Sequence, residues 1–327
     1  MTGMTGSDIA IEAIDLVKRF GDFTAVDGIS FQVPRGTVLG LLGPNGAGKT
    51  TTVRMMTTLS EPTSGIARVA GYDVSTHPDE VRRSMGLTGQ AATVDEILTG
   101  RENIAMIGGL YGIGRKALAA RGDQLLEQFS LTEAANKPVK DYSGGMRRRL
   151  DLAVSLLAAP PVLFLDEPTT GLDPRSRTEL WEVLRELVND GTTLLLTTQY
   201  LEEADQLADD IVVIDHGRII EHGTALQLKE RAGAASLVLT VSHADDLEAA
   251  ADVLRRSGNE VFVEANARRI TMAADGLRDL TTAAGWLDES GISVDDLGLA
   301  RPSLDDVFLS LTGHRTESDD TDQESQS

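Results

Sequence analysis

The stretch that most constrains this chain is Gly43-Pro44-Asn45-Gly46-Ala47-Gly48-Lys49-Thr50, directly after the apolar run Val38-Leu39-Gly40-Leu41-Leu42. It satisfies G-x-x-x-x-G-K-[ST], the phosphate-binding P-loop. Each residue type has a physical reason. A strand ends, and a glycine-rich turn aims several backbone N–H groups inward, at a phosphate chain. Lys49 is placed to reach the outer phosphates, and the Thr50 hydroxyl to ligate Mg²⁺. Thr51 and the residues to Leu59 read as a helix whose positive end faces the anion. The motif implies a nucleoside triphosphate, so the fold class is α/β.

The 327 residues allow one large domain or two ordinary ones, and 41% hydrophobic with 25% charged residues is a globular composition. There is no cysteine, which excludes disulfide and thiolate chemistry. No uncharged apolar run approaches the roughly 20 residues of a membrane span, and no secretory pattern is expected at the N-terminus. Residues 1–8 read as a flexible start, with Met4 a second candidate initiator. The net charge of −21 disfavours nucleic-acid backbones and anionic membrane surfaces. Any membrane association then has to run through a protein partner.

Along the chain, Ile9–Phe20, Ile29–Val33, Val38–Leu42, Gly65–Val69 and Met85–Thr88 read as strands, with Gly21 and Asp27-Gly28 as turn signals. From Thr99 to Asn136 the apolar spacing is helical, with Glu102–Tyr111 and Arg115–Phe129 the clearest helices, so a helical subdomain over about 91–160 interrupts an α/β chain. A helix begins at Ser143, and Pro160-Pro161 stops it. Val162–Leu165 is a buried strand, Pro174–Val188 a helix, Thr193–Thr197 a strand, Leu201–Ala208 a helix, and 211–221 a hairpin around His216-Gly217. Strands alternating with helices argue a mostly parallel sheet covered on both faces. This first domain spans 9–232. After a linker at Gly233-Ala234-Ala235 the order is βαββαβ, the ferredoxin-like pattern, over an accessory domain at 233–314. Leu304–Leu311 reads as an amphipathic helix, and 315–327 as an acidic disordered tail.

Asp166 follows four apolar residues, which places its carboxylate at the C-terminal end of a buried strand, where ligands sit in open α/β sheets. Beside a P-loop this is a Walker B arrangement, with Asp166 a candidate Mg²⁺ ligand through water. Glu167, one residue on, is placed to act on an attacking water as general base. Arg147-Arg148-Arg149 reads as a solvated helix face, with a contact to nucleotide or partner as the alternative.

Tyr142-Ser143-Gly144-Gly145-Met146 completes a set: Walker A, Gln90, Ser-Gly-Gly before a helix, Walker B and Gly171-Leu172-Asp173, in that order. Over residues 9–230 this resembles ATP-binding-cassette (ABC) ATPases. Leu87–Asp95, Tyr142–Arg149, Thr197–Asp205 and Leu304–Gly313 resemble, more narrowly, the ATPase subunits of daunorubicin-type drug-resistance exporters. The resemblance implies a homodimer in which ATP and Mg²⁺ are held by the P-loop of one copy and Ser143, Gly144 and Gly145 of the other. It implies a Mg²⁺ or water contact for Gln90, adenine stacking for Phe20 with core packing as its rival, and communication across the dimer for Asp173. It further implies a separate integral membrane permease contacted through the helical subdomain, peripheral location at the cytoplasmic face, and export of a hydrophobic drug or lipid-like compound. Two positions depart from the family pattern: Met146 replaces the usual Gln, and Gln199 the usual switch His. The Gln199 amide can donate to a phosphate but cannot gain charge, which leaves Glu167 as the main candidate base. Other cargo or direction, a soluble switch on nucleic acid, and a binding-only regulator are the rival readings; single-cassette length, acidity and the intact Lys49, Asp166 and Glu167 weigh against the last two.

Overall fold

A computed structural model describes residues 8–89, 93–231 and 236–300, together with Leu304, Val307 and Phe308. The expected linker at Gly233, most of the segment Leu304–Leu311 and the acidic tail fall outside them. The chain divides into two compact units, the first ending at Ala225 and the second beginning at Leu226.

In the first unit, β1 (Ile9–Phe20) and β2 (Phe23–Pro34) form a hairpin across Gly21-Asp22. There follow β3 (Val38–Leu42), α1 (Lys49–Met56), β4 (Ser64–Val69), β5 (Tyr72–Asp73), α2 (Pro78–Ser84) and β6 (Met85–Thr88). The helical block comprises α3 (Gly100–Leu110), α4 (Arg115–Gln128), two short 3₁₀ turns and α5 (Gly144–Ser155). Then come β7 (Val162–Asp166), α6 (Pro174–Asn189), β8 (Thr193–Thr198), α7 (Leu201–Leu207), β9 (Asp210–Asp215) and β10 (Arg218–Gly223).

An antiparallel sheet has the order β2-β1-β4-β5, and a six-stranded sheet the order β10-β9-β3-β8-β7-β6. In the latter only the β9–β10 pair is antiparallel. Its central strands β3, β8 and β7 are buried throughout, and alternation assigns their residues to one of two cores. Leu39, Leu41, Phe164, Leu195, Val212 and Ile214 pack toward the antiparallel sheet and α1. Val38, Leu163, Leu165, Leu194 and Leu196 pack toward α5, α6 and the helical block.

Asp27-Gly28 is not the turn its composition predicts. Leu16 pairs with Ile29 and Val17 with Asp27, so Gly28, at φ 72°, is an extra residue carried as a bulge inside β2. The helix starts follow local chemistry. Thr99 forms a capping box with Glu102, and Asp173, ahead of Pro174, caps α6 by accepting from Ser176 N–H at 3.0 Å.

The second unit takes in most of α8 (Ala225–Arg231), then β11 (Ser236–Val241), α9 (Leu247–Arg255), β12 (Val261–Glu264), β13 (Arg269–Ala273), α10 (Leu277–Glu289) and β14 (Val294–Ala300). The βαββαβ order closes into an antiparallel sheet of order β12-β13-β11-β14. Leu247, Ala250, Ala251 and Leu254, at helical spacing on α9, share a core with Leu237, Leu239 and Ile270.

Candidate functional site

β3, β8 and β7 are parallel neighbours in register, Leu42 beside Thr198 and Thr197 beside Asp166. Their C-terminal ends therefore deliver the P-loop, two hydroxyls and a carboxylate to one place. Gly43 leaves β3 where no side chain fits, since a Cβ there would lie 2.2 Å from the Ile214 carbonyl. Gly48 ends the loop at φ 109°, with a Cβ position 2.6 Å from the Ala25 carbonyl. The loop is thus wedged between β2 and the β9–β10 hairpin, whose Gly217 N–H donates to Ala47 O at 2.9 Å.

Pro44, Asn45, Gly46, Ala47, Gly48, Lys49, Thr50 and Thr51 line a cavity of 310 Å³ with Glu167, Ala25 and Phe23. The Lys49 ammonium, 4% exposed, donates to Gly43 O at 2.7 Å and Pro44 O at 3.1 Å, and lies 3.7 Å from Glu167 Oε1. Burial draws its pKa below the ordinary lysine value, and the Glu167 and Asp166 carboxylates oppose that shift. Thr50 Oγ1 donates to Asp166 Oδ1 at 3.1 Å, and Thr197 Oγ1 donates to the same oxygen at 2.6 Å. Thr50 and Asp166 form a hard oxygen donor set of the kind Mg²⁺ takes when phosphates and water complete its shell.

Glu167 breaks the strand. Its φ of 50° is left-handed, a conformation a non-glycine residue holds only when its surroundings enforce it. Its N–H donates to Thr197 O and Thr197 Oγ1, both at 3.1 Å, and this turns the carboxylate toward the P-loop cavity.

The remaining predicted residues divide. Ser143 caps α5, its Oγ accepting from Met146 N–H at 3.2 Å, and Gly144 and Gly145 open that helix. None of the three lines the P-loop cavity of the same copy. Asp173 is an exposed helix cap, its pKa lowered by the Ser176 hydroxyl and N–H. Phe20 is 54% exposed, which removes the core-packing reading, yet its cross-strand neighbour Phe23 is the ring that lines the cavity. Gln199 is half-buried between β8 and α7. Gln90 lies outside the described residues.

Sequence reasoning misses Thr197, which was legible as the residue one strand over from Asp166. It also misreads Arg148, which is not a solvated residue but 13% exposed and bonded to four backbone carbonyls. The signal was present: Gly145, Arg148, Leu152 and Ser155 share one helical face, and the other three are buried.

Behind the site, Glu203 of α7 is fully buried and accepts from Trp181 Nε1 at 3.4 Å. Burial pushes its pKa up to about 7. From the unfolded value of 4.5 to about 7 the native state holds a proton the unfolded chain has lost, so stability falls as pH rises through that window. Glu203→Gln is expected to gain on the order of 2–3 kcal/mol over the parent at pH 8.5 and little at pH 5. Urea denaturation at the two pH values measures this; a difference independent of pH would contradict it.

The comparisons with known proteins agree with this geometry. Residues 26–170 match the family model for ABC transporters. The chain is 52% identical to the daunorubicin resistance ATP-binding protein DrrA2 of Streptomyces coeruleorubidus over 96% of this chain and 98% of that protein. It is 40% identical to the Nod factor export ATP-binding protein I of Ralstonia nicotianae, covering 94% and 95% of the two chains. A solved structure of an ATP-binding subunit of an ABC transporter superposes with TM-score 0.62 at 29% identity, covering 68% of this chain and 92% of that one. A wedged P-loop, a carboxylate pair beside it and near-complete alignment with such relatives converge on one assignment: the chain belongs to the ABC transporter ATP-binding proteins and is an ATPase of that family.

Proposed function

We propose that this chain binds and hydrolyses ATP as the energising subunit of an exporter for a hydrophobic drug or lipid-like compound, docked on a separate integral membrane permease at the cytoplasmic face. The observation that carries the engine is the cavity lined by Lys49, Thr50 and Glu167, with Asp166 bonded to the Thr50 hydroxyl beside it. The printed names of the relatives, resistance and export ATP-binding proteins, support the cargo class. No helix among the described residues is long and apolar enough to cross a membrane, which is consistent with a partner that does.

In this reading the loop N–H groups from Asn45 to Thr50 receive the phosphates, and Lys49 exchanges its loop carbonyls for phosphate oxygens. Thr50, Asp166 through water, and Gln90 would hold Mg²⁺, and the ion would neutralise phosphate charge. Glu167 takes a proton from water as its oxygen attacks the terminal phosphorus, and the bond to the departing ADP oxygen breaks. Thr197 orients Asp166 through its hydroxyl, while its carbonyl and hydroxyl hold the Glu167 backbone. Ser143, Gly144 and Gly145 complete the site of a second copy: a hydroxyl and N–H groups at a helix N-terminus form an anion site, and none of the three lines the P-loop cavity of its own copy, although Gly144 shares a neighbouring cavity with Glu167. Phe20 and Phe23, both exposed, offer rings for the base, and Asp173, an exposed helix cap, is the residue that the family resemblance assigns to communication across the dimer.

The test is affinity capture of the tagged chain from detergent-solubilised membranes of its own source. A polytopic membrane protein is expected to co-purify and to raise the ATPase rate. Capture of ribosomes or DNA without any membrane protein would sink the transport reading.

A further inference from the structure

We propose that Arg148 is a positioning residue for hydrolysis, holding Glu167 in its left-handed conformation by gathering the carbonyls of the turn around one guanidinium. The proposal rests on the reading of Glu167 as general base. Arg148 Nε donates to Pro168 O at 2.8 Å, and Nη2 to Asp166 O at 3.2 Å and Glu167 O at 3.1 Å. Three consecutive carbonyls converge on one cation because φ at Glu167 is positive, which curls the chain and swings its C=O out of the β7 ladder. A regular strand would point successive carbonyls to opposite sides. The guanidinium is thus the counterpart of the strain at Glu167. It supplies donors to carbonyls that lose strand partners at the turn, and it does so only while the turn is curled.

The fourth donor reaches further. Arg148 Nη1 donates to Gly89 O at 2.6 Å, and Asp151, one turn along α5, accepts from Thr93 N–H at 2.6 Å through Oδ1. Gly89 and Thr93 are the described residues on either side of Gln90. Arg148 Nη1 and Asp151 Oδ2 lie 3.9 Å apart, in side chains 13% and 1% exposed. One helix, the one that Ser143 caps, therefore grips the Glu167 turn and both flanks of Gln90 through two adjacent charged side chains. A shift of α5 is transmitted to the general base by this route, with no ligand contact by Arg148 itself.

The experiment compares Arg148→Met, Arg148→Lys and Arg148→Gln in the full-length chain, measuring kcat, KM, binding of a non-hydrolysable ATP analogue with Mg²⁺, and melting temperature. Misplacing a catalytic group by about 1 Å costs roughly 100-fold, so Arg148→Met is expected to lower kcat by that order while analogue affinity stays within about threefold. Arg148→Lys, which keeps the charge but not the fork, and Arg148→Gln, which keeps two donors, fall in between. In a Glu167→Gln background, Arg148→Met is expected to add no further loss, because it acts through the group already removed. Should Arg148→Met fail to fold, the lysine and glutamine variants carry the same comparison. Equal falls in kcat and affinity, parental turnover in all three variants, or losses that multiply with Glu167→Gln would each overturn the proposal. A parental chain without ATPase activity, or a Glu167→Gln variant at full rate, would instead overturn the reading on which it rests.

Discussion

Glu167→Gln is expected to bind ATP near the parental affinity and to turn it over about 10²–10⁴ times more slowly. The side chain keeps its length and its acceptor oxygen, so the cavity wall and the approach of Lys49 at 3.7 Å survive. Only the proton acceptor is lost. The left-handed backbone survives too, because it is held by Thr197 and Arg148 through main-chain atoms that the substitution does not touch. Because Gln199 cannot act as an imidazole would, no second side chain among the described residues of the site is placed to replace the base. The rate is read as phosphate release and the affinity from a fluorescent analogue in the same buffer. Hydrolysis at the parental rate would remove Glu167 from the chemistry.

The second large effect is at Lys49. Lys49→Met removes a buried ammonium that satisfies Gly43 O and Pro44 O and faces the Glu167 and Asp166 carboxylates. Truncating one partner of a buried charged pair costs about 2–5 kcal/mol, so ATP affinity is expected to fall by about 30-fold to several thousand-fold. The electrostatic reason is local. Without the ammonium, the phosphates would enter a site whose nearest ionisable groups are two carboxylates, in a chain of net charge −21. Equilibrium titration with Mg²⁺ present measures this, and an unchanged dissociation constant would show that the loop N–H groups suffice.

Much of this fold and site is legible in the sequence. The P-loop, the strand before Asp166 and the alternation of strands with helices are local patterns whose physics is local, and they form where expected. The bulge at Gly28 was not legible, because a glycine that turns a chain and a glycine that absorbs one extra residue in a strand have the same composition. Arg148 was hidden by its neighbours. A run of three arginines reads as surface charge, yet Arg148 and Arg149 are 13% and 14% exposed, and what sets Arg148 apart is the four backbone carbonyls it bonds. Phe20 and Phe23 illustrate a further limit: paired across a two-residue turn, they are equivalent in pattern, and only the fold shows which ring borders the cavity.

The central claim is that a working site needs two copies, and Gly144 tests it most directly. A Cβ at Gly144 meets nothing within 4 Å, and an acidic residue in the first turn suits the helix dipole, so Gly144→Glu leaves the fold of one copy undisturbed. Sedimentation of Glu167→Gln with Mg²⁺ and ATP is expected to give a species of twice the chain mass, with one nucleotide per copy. Adding Gly144→Glu is expected to return it to single copies that still bind ATP through the P-loop. A nucleotide-loaded single copy of Glu167→Gln, or a dimer indifferent to the charge at position 144, would contradict the composite site.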